Sequence, residues 1–278
     1  DTGVYPMWDR FGFNFENGQA WSALNKIVAS GKMDLTGLHC HIGTFMLSAN
    51  AYATAAKKLG DLAWKCKTQL NTAIQYIDLG GGFPSTNTLR GSFLPGTDAV
   101  PSVDEFAEAI TKELLLLGFP PAELPLLVLE SGRVLVDDAG YLLSTVLANK
   151  RLSDGRRATI LDAGVNVLFT SFWYDHKITP AQDFTQHTED MALYGPLCMS
   201  IDVVRQSVNL PLLNRGDRVV IHKVGAYNMT QWMQFIQMRP NVILIDEQGQ
   251  THLIREAEKL EYVEQLEKVP HHLQQINI

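Results

Sequence analysis

Three short apolar runs in this chain each end in residues able to do chemistry. Leu38-His39-Cys40-His41-Ile42-Gly43-Thr44 closes the first, Asp78-Leu79-Gly80-Gly81-Gly82-Phe83-Pro84 the second and Leu129-Glu130-Ser131-Gly132-Arg133 the third. Consecutive glycines leave backbone N–H groups uncovered by side chains and free to adopt positive φ, which suits a grip on phosphate. Alone the turn is a weak signal, because many glycine-rich turns follow strands and bind nothing. His39 and His41 have the His-x-His spacing of a zinc pair at a strand end. The later runs supply Gly-Gly-Gly and Glu-Ser-Gly-Arg rather than further histidines or a metal-binding aspartate, which weighs against a metal-dependent barrel hydrolase. Taken singly, His41 reads as an ordinary half-buried strand residue, and Glu130 with Arg133 as a plain ion pair at a strand end.

The elements that must position these residues alternate strand and helix. Glu16 to Ser30 reads as an amphipathic helix, with Trp21, Leu24, Ile27 and Val28 on one face and Gly31 as its stop. Strand Leu35–Ile42 follows, then a helix across Ala49–Leu70 and strand Ile74–Leu79. The turn-rich loop Pro84–Pro101 has a length that often marks function. Ser102 and Glu105 fit a capping box for helix Val103–Leu117, and strand Leu126–Glu130 ends the series. Strand–helix alternation implies a parallel sheet, and functional residues at strand C-termini are the pattern of a (β/α) barrel. After about Gly140 the texture changes. Leu142–Asn149, Ala158–Asp162, Asp202–Val208 and Asp217–Lys223 are β-rich runs bounded by turn residues, predicting a β-barrel or sandwich. Helical patterns return at Gln231–Gln237 and Ile254–Leu266. The fold class expected is therefore α/β followed by all-β.

Bulk properties narrow the function. The 278 residues suggest one large or two medium domains, and 46% hydrophobic with 19% charged residues is ordinary for a well-cored soluble protein. A net charge of −7 offers no basic field for nucleic acid or an anionic membrane. No apolar run approaches the roughly 20 residues that cross a bilayer. Three unpatterned cysteines, Cys40, Cys66 and Cys198, fit a reducing cytoplasm.

Five motifs, in this order, carry a family resemblance: His39-Cys40-His41-Ile42-Gly43-Thr44, Asp78-Leu79-Gly80-Gly81-Gly82-Phe83, Glu130-Ser131-Gly132-Arg133, Gly195-Pro196-Leu197-Cys198 and Gly225-Ala226-Tyr227. Together they resemble the fold type III pyridoxal-phosphate (PLP) decarboxylases, the family of diaminopimelate and ornithine decarboxylases, over almost the whole chain. The resemblance implies that residues 1–141 are the C-terminal part of a PLP-binding (β/α)8 barrel, followed over 142–278 by a β-domain with a terminal helical segment. It implies that His41 lies against the pyridine ring and that Thr44, Gly80, Gly81, Gly82, Arg133 and Tyr227 hold the phosphate. Glu130 would face the pyridine nitrogen, and a carboxylate there favours the protonated, electron-accepting ring. Cys198 would reach a partner's active site in a homodimer with shared sites, although a free cysteine is more often a small buried hydrophobe. Asp162 and Tyr174 match positions on the substrate side, with a turn-forming aspartate as the plain alternative for Asp162.

Departures from the family pattern bear on substrate. Met199 is neutral where ornithine and diaminopimelate decarboxylases place an acid for the distal ammonium group. Thr170-Ser171, four residues before Tyr174, replaces the Arg-Pro with which diaminopimelate enzymes grip a distal carboxylate. Gly195-Pro196-Leu197-Cys198-Met199 and Asn87-Thr88-Leu89 look similar to siderophore-pathway decarboxylases, which act on amino acids joined to a bulky polar acid such as citrate. A large or conjugated L-amino acid is the substrate expected. The family also carries its cofactor on a lysine in an early barrel strand, and no lysine here has that context. Lys26, Lys57, Lys58, Lys65 and Lys67 fall on predicted helices and Lys32 in a turn. By resemblance the chain begins near the fifth barrel strand, at Arg10-Phe11-Gly12-Phe13. The expectation is that the lysine lies upstream of Asp1 and that this part alone is inactive. A non-catalytic relative and an amino-acid racemase are the other readings; racemases pair the ring nitrogen with arginine, unlike Glu130.

Overall fold

The computed structural model describes residues 11–185 and 187–273. The chain divides into two compact units. The first is built from the residues up to Tyr141 together with Trp173–Lys177 and His222–Ala226; the second comprises Leu142–Phe172, Ile178–Ile221 and the residues from Tyr227 onward.

In the first unit, α1 (Gln19–Ser30) ends where Gly31 takes the left-handed conformation at φ 58°. Strand β1 (Gly37–His39) leads to α2 (Ala49–Leu70), then come β2 (Tyr76–Asp78), the one-turn α3 (Gly96–Ala99), α4 (Val103–Leu116), β3 (Leu126–Val128) and the short α5 (Arg133–Val136). The capping box at α4 forms as predicted, with the Ser102 side chain and Glu105 satisfying each other's backbone N–H groups. Phe106, Ile110 and Leu114, one helical turn apart, bury the same face of α4 and pack with the Tyr52, Leu59, Ala63 and Cys66 face of α2 in one core. Gly60 permits the close approach, since a Cβ there would lie 2.0 Å from Leu117 Cδ1.

The three strands pair in parallel and in step: His39 stands opposite Asp78, and Asp78 opposite Val128. Because successive side chains alternate across a sheet, Leu38, Ile77 and Leu127 face the helices. His39, Asp78 and, two residues past Val128, Glu130 fall on the other face. The ladder runs on past the strands through Cys40 N–H to Asp78 O, Leu79 N–H to Val128 O and Glu130 N–H to Gly80 O. The strands are therefore shorter than predicted, with the extra residues paired in irregular extensions. Phe11–Phe13 forms no strand, and Arg10 lies outside the described residues.

The second unit holds a six-stranded mixed sheet. Its strands are β4 (Tyr141–Arg151), β5 (Arg157–Leu161), β6 (Ile178–Pro180), β7 (Thr188–Tyr194), β8 (Val203–Pro211) and β9 (Arg218–His222), in the order β6-β9-β4-β5-β7-β8. Strands β5 and β7 run parallel. Buried Leu161, Met191, Leu193, Val204 and Ile221 belong to its core. A separate hairpin joins β10 (Val242–Ile245) and β11 (Thr251–Arg255), followed by α6 (Leu260–Glu264). Two helical expectations fail here. Gln231–Gln237 is bends and an isolated bridge rather than helix. Within Ile254–Leu266 the helix shrinks to α6, because Ile254 belongs to the hairpin, whose turn is closed by Asp246 Oδ1 accepting from Gln248 and Gln250 N–H. Among the described residues no helix is long and apolar enough to cross a membrane.

Candidate functional site

The in-step register brings the chemistry of the first unit to one end of its sheet. His39 Nδ1 lies 3.0 Å from Asp78 Oδ2, and ligand atoms of His39, Asp78 and Glu130 fall within 4.8 Å of one another. Those three could hold a metal ion. The histidine pair does not act as one: His41 Nδ1 accepts the Gly81 N–H at 3.3 Å, and His41 is not part of that cluster.

The glycine turn has its own steric logic. Gly80 and Gly82 adopt φ 67° and 90°, a region that costs other L-residues roughly 1–2 kcal/mol. A Cβ on Gly80 would lie 2.8 Å from Cys40 O, on Gly81 2.7 Å from Glu130 O and on Gly82 2.1 Å from Gly43 O. The glycines thus let the three strand ends close on one another. Two of their N–H groups are engaged within the protein, Gly80 with Asp78 Oδ1 at 2.8 Å and Gly81 with His41. Among the described residues the Gly82 N–H donates to no backbone carbonyl. Two of the N–H groups that the glycines leave uncovered are thus already bonded inside the protein. The turn is anchored from behind by buried Tyr52, whose hydroxyl donates to Gly81 O at 2.7 Å while its ring stacks on Phe83 at 4.3 Å. Burial pushes the Tyr52 hydroxyl pKa upward, so it stays a donor.

Arg133, the first residue of α5, turns inward and is buried. Its Nη2 donates to Thr44 Oγ1 at 2.8 Å, and its guanidinium lies 5.1 Å from the Phe45 ring centroid and 5.9 Å from that of Tyr174. Tyr174 is itself buried, 5.2 Å from Phe45. Behind α5, buried Asp137 accepts from Ser85 Oγ at 2.5 Å, Asn87 Nδ2 at 3.1 Å and Ala226 N–H at 3.0 Å. Burial nevertheless raises its pKa, with those three bonds and Arg133 pulling the other way. Asp137 was not foreseen. Its only sequence signal is a carboxylate four residues after Arg133, on the same side of a short helix.

The remaining expected residues belong to the second unit. Asp162 is exposed and tied to β4, accepting from Ser144 Oγ at 2.6 Å and Thr145 N–H at 2.8 Å. Cys198 is exposed, and Met199 is half-buried beside it. Tyr227, partly exposed, adopts φ 67°. Thr170 is buried, its N–H and hydroxyl both directed to Asn228 Oδ1. Buried Asp202 was also missed.

The donor set of the first unit fits the cofactor that the motifs imply. A guanidinium and a hydroxyl suit a phosphate ester, and glycines too crowded for any Cβ let the strand ends close together. A carboxylate at the neighbouring strand end suits a pyridine nitrogen, and an imidazole at the first strand end suits a ring face.

Comparison with known proteins gives the same direction. Residues 27–225 match the family described as pyridoxal-dependent decarboxylase, C-terminal sheet domain. The chain is 28% identical to diaminopimelate decarboxylase of Bacillus subtilis over 262 residues, covering 93% of this chain and 58% of that protein. It is 29% identical to the Methanocaldococcus jannaschii diaminopimelate decarboxylase over 268 residues, 95% of this chain and 58% of the relative. The crystal structure of the M. jannaschii enzyme in complex with L-lysine superposes with a TM-score of 0.83 at 28% identity, covering 96% of this chain and 59% of that one. The chain thus spans less than two thirds of the length of these relatives.

Proposed function

As this chain belongs to the pyridoxal-dependent decarboxylases, we propose that the protein removes the α-carboxylate of an L-amino acid as CO₂ with pyridoxal 5'-phosphate as cofactor. The observation that carries the reading is the convergence of Glu130, His39 and Asp78 beside the Gly80–Gly82 turn, with Arg133 bound to Thr44. When bound, the cofactor supplies a protonated ring that takes up the electron pair left by departing CO₂. Glu130 keeps that ring protonated through its carboxylate. Arg133 and Thr44 would hold the phosphate with charge-assisted hydrogen bonds, joined by the glycine turn; a phosphate role for Tyr227 rests on its motif alone. His41, its Nδ1 already bonded to Gly81, presents its ring to the pyridine face. The reading of the first unit as part of a (β/α)8 barrel belongs to the same proposal. So does a homodimer with shared sites in which Cys198 serves the partner's site and Asp162, Tyr174 and Met199 lie on the substrate side.

The substrate is a large or conjugated L-amino acid, as siderophore-type enzymes use. Met199 carries no charge for a distal ammonium, and the Thr170 hydroxyl and N–H are committed to Asn228, so a distal carboxylate finds no cation there. Diaminopimelate is the second reading, favoured by the names of the relatives. The test is CO₂ release by the full-length protein, PLP-loaded, on free ornithine, lysine and diaminopimelate and on amino acids joined to a polar acid. Turnover of the conjugates alone supports the proposal. Efficient turnover of diaminopimelate selects the second reading, and failure to take up PLP removes both.

A further inference from the structure

Within the second unit, one buried side chain organises two turns that the proposed reaction uses. We propose that Asp202 is a positioning residue, clamping the turn that carries Cys198 and Met199 to the turn that follows Asp162. The inference rests on the decarboxylase reading for the importance of those turns, and on the geometry alone for the clamp.

Asp202 is 2% exposed. Its Oδ2 accepts the Leu197 N–H at 2.7 Å and its Oδ1 the Val165 N–H at 2.8 Å. Its own backbone closes the turn, with Asp202 N–H donating to Met199 O at 3.0 Å and Asp202 O accepting from Gly195 N–H at 3.1 Å. Cys198 therefore lies between two pinned atoms, the Leu197 nitrogen and the Met199 carbonyl oxygen. That arrangement fixes the backbone from which the exposed Cys198 thiol projects, without touching the thiol. Two glycines make room for the carboxylate. A Cβ on Gly164 would lie 2.2 Å from Asp202 Oδ1 and one on Gly195 2.3 Å from both carboxylate oxygens. Glycine at both positions, from turns 31 residues apart in sequence, is the imprint of this one side chain. Only a carboxylate accepts from both amides at once: an amide side chain offers one acceptor and turns an N–H₂ toward the second donor. Hydrogen bonds to a carboxylate are also about twice as strong as neutral ones.

The test compares Asp202→Asn, Asp202→Ala and Cys198→Ser with the parent in the full-length, PLP-loaded protein. It reads backbone amide exchange, PLP affinity and the kcat and KM of whichever substrate is turned over. Exchange at Leu197 and Val165 should rise about tenfold or more in Asp202→Asn, with the β5 and β7 amides and PLP affinity unchanged and kcat reduced. Asp202→Asn keeps the side-chain volume and decides the matter should the alanine variant not fold. Unchanged exchange at the two turns overturns the clamp. So does faster exchange spread evenly over the whole sheet, which marks a residue that merely fills the core. If Asp202→Asn frees the turns while Cys198→Ser leaves turnover intact, the clamp stands and the assignment of Cys198 fails. If Cys198→Ser abolishes turnover and Asp202→Asn changes neither exchange nor kcat, the clamp fails and the decarboxylase reading stands.

Discussion

Arg133 Nη2 donates a 2.8 Å hydrogen bond to the Thr44 hydroxyl across 89 residues of sequence, joining the loops after the first and third strands of the parallel sheet. The guanidinium is buried against two aromatic rings, so its direction is set by packing as well as by the bond. Lysine in its place keeps the charge but has neither the planar fork nor the stacking surface. Arg133→Lys should weaken PLP binding about ten- to a hundredfold, the scale of one hydrogen bond to a charged group. Thr44→Ser, which keeps the hydroxyl, should bind nearly as the parent does, and Thr44→Val should not. Titration of the full-length apoprotein with PLP reads all three, and equal affinity throughout would remove these residues from the phosphate site.

Gly82 and Gly91 separate conformational strain from crowding. Both have positive φ, 90° and 78°, but only Gly82 is crowded, while nothing lies within 4 Å of a Cβ built on Gly91. Gly91→Ala should cost about 1 kcal/mol, from backbone conformation alone. Gly82→Ala adds a collision with the Gly43 carbonyl and should lose at least about 2 kcal/mol more. Chemical denaturation compares them. Equal losses would mean that the strand ends are not held as closely as described.

Much of the site was legible because its signals are local. Three glycines in a row, a capping box and an apolar run ending in His-x-His each announce themselves within a few residues. Parallel pairing then makes strand ends meet, so reading three ends in sequence amounts to reading one site. Asp137 and Asp202 escaped for the opposite reason. An aspartate near a glycine looks like a turn former until the chain folds, and Asp137 finds Ser85 and Ala226 at separations of 52 and 89 residues. The hairpin of β10 and β11 was mistaken in part for helix. Ile243, Leu244 and Ile245 on one strand and Leu253 and Ile254 on the other are exposed, so neither strand shows the alternation that marks a half-buried one.

The three thiols should separate by reactivity. Burial, with Asp78 adding to it, pushes the Cys40 pKa up to about 11, leaving roughly a thousandth as thiolate at pH 8. Cys66 is buried in the helical core and raised in the same direction. Cys198 is exposed. Native alkylation at pH 8 followed by peptide mapping should label Cys198 and spare Cys40 and Cys66 until the protein is unfolded. Rapid labelling of Cys40 would show that the first strand end is more open to solvent than its packing implies.

Asp137 gives the fold a pH dependence whose sign is fixed by its surroundings. Burial is the largest influence on it and raises its pKa above the ordinary aspartate value, despite the bonds from Ser85, Ala226 and Asn87. Between the unfolded value and the raised folded value, the native state holds a proton that the unfolded chain has released. Stability from this group is therefore complete below the ordinary aspartate range, declines as pH rises through the window and is flat above it. Asp137→Asn cannot titrate, so its unfolding free energy should lack that decline. The substituted amide also has one acceptor fewer for Ser85, Asn87 and Ala226, which should cost about 1–3 kcal/mol at neutral pH. Denaturant unfolding of parent and variant from acid to neutral pH measures both effects. If the parent instead gains stability relative to Asp137→Asn as pH rises through that window, the hydrogen bonds outweigh burial and the carboxylate is held ionised.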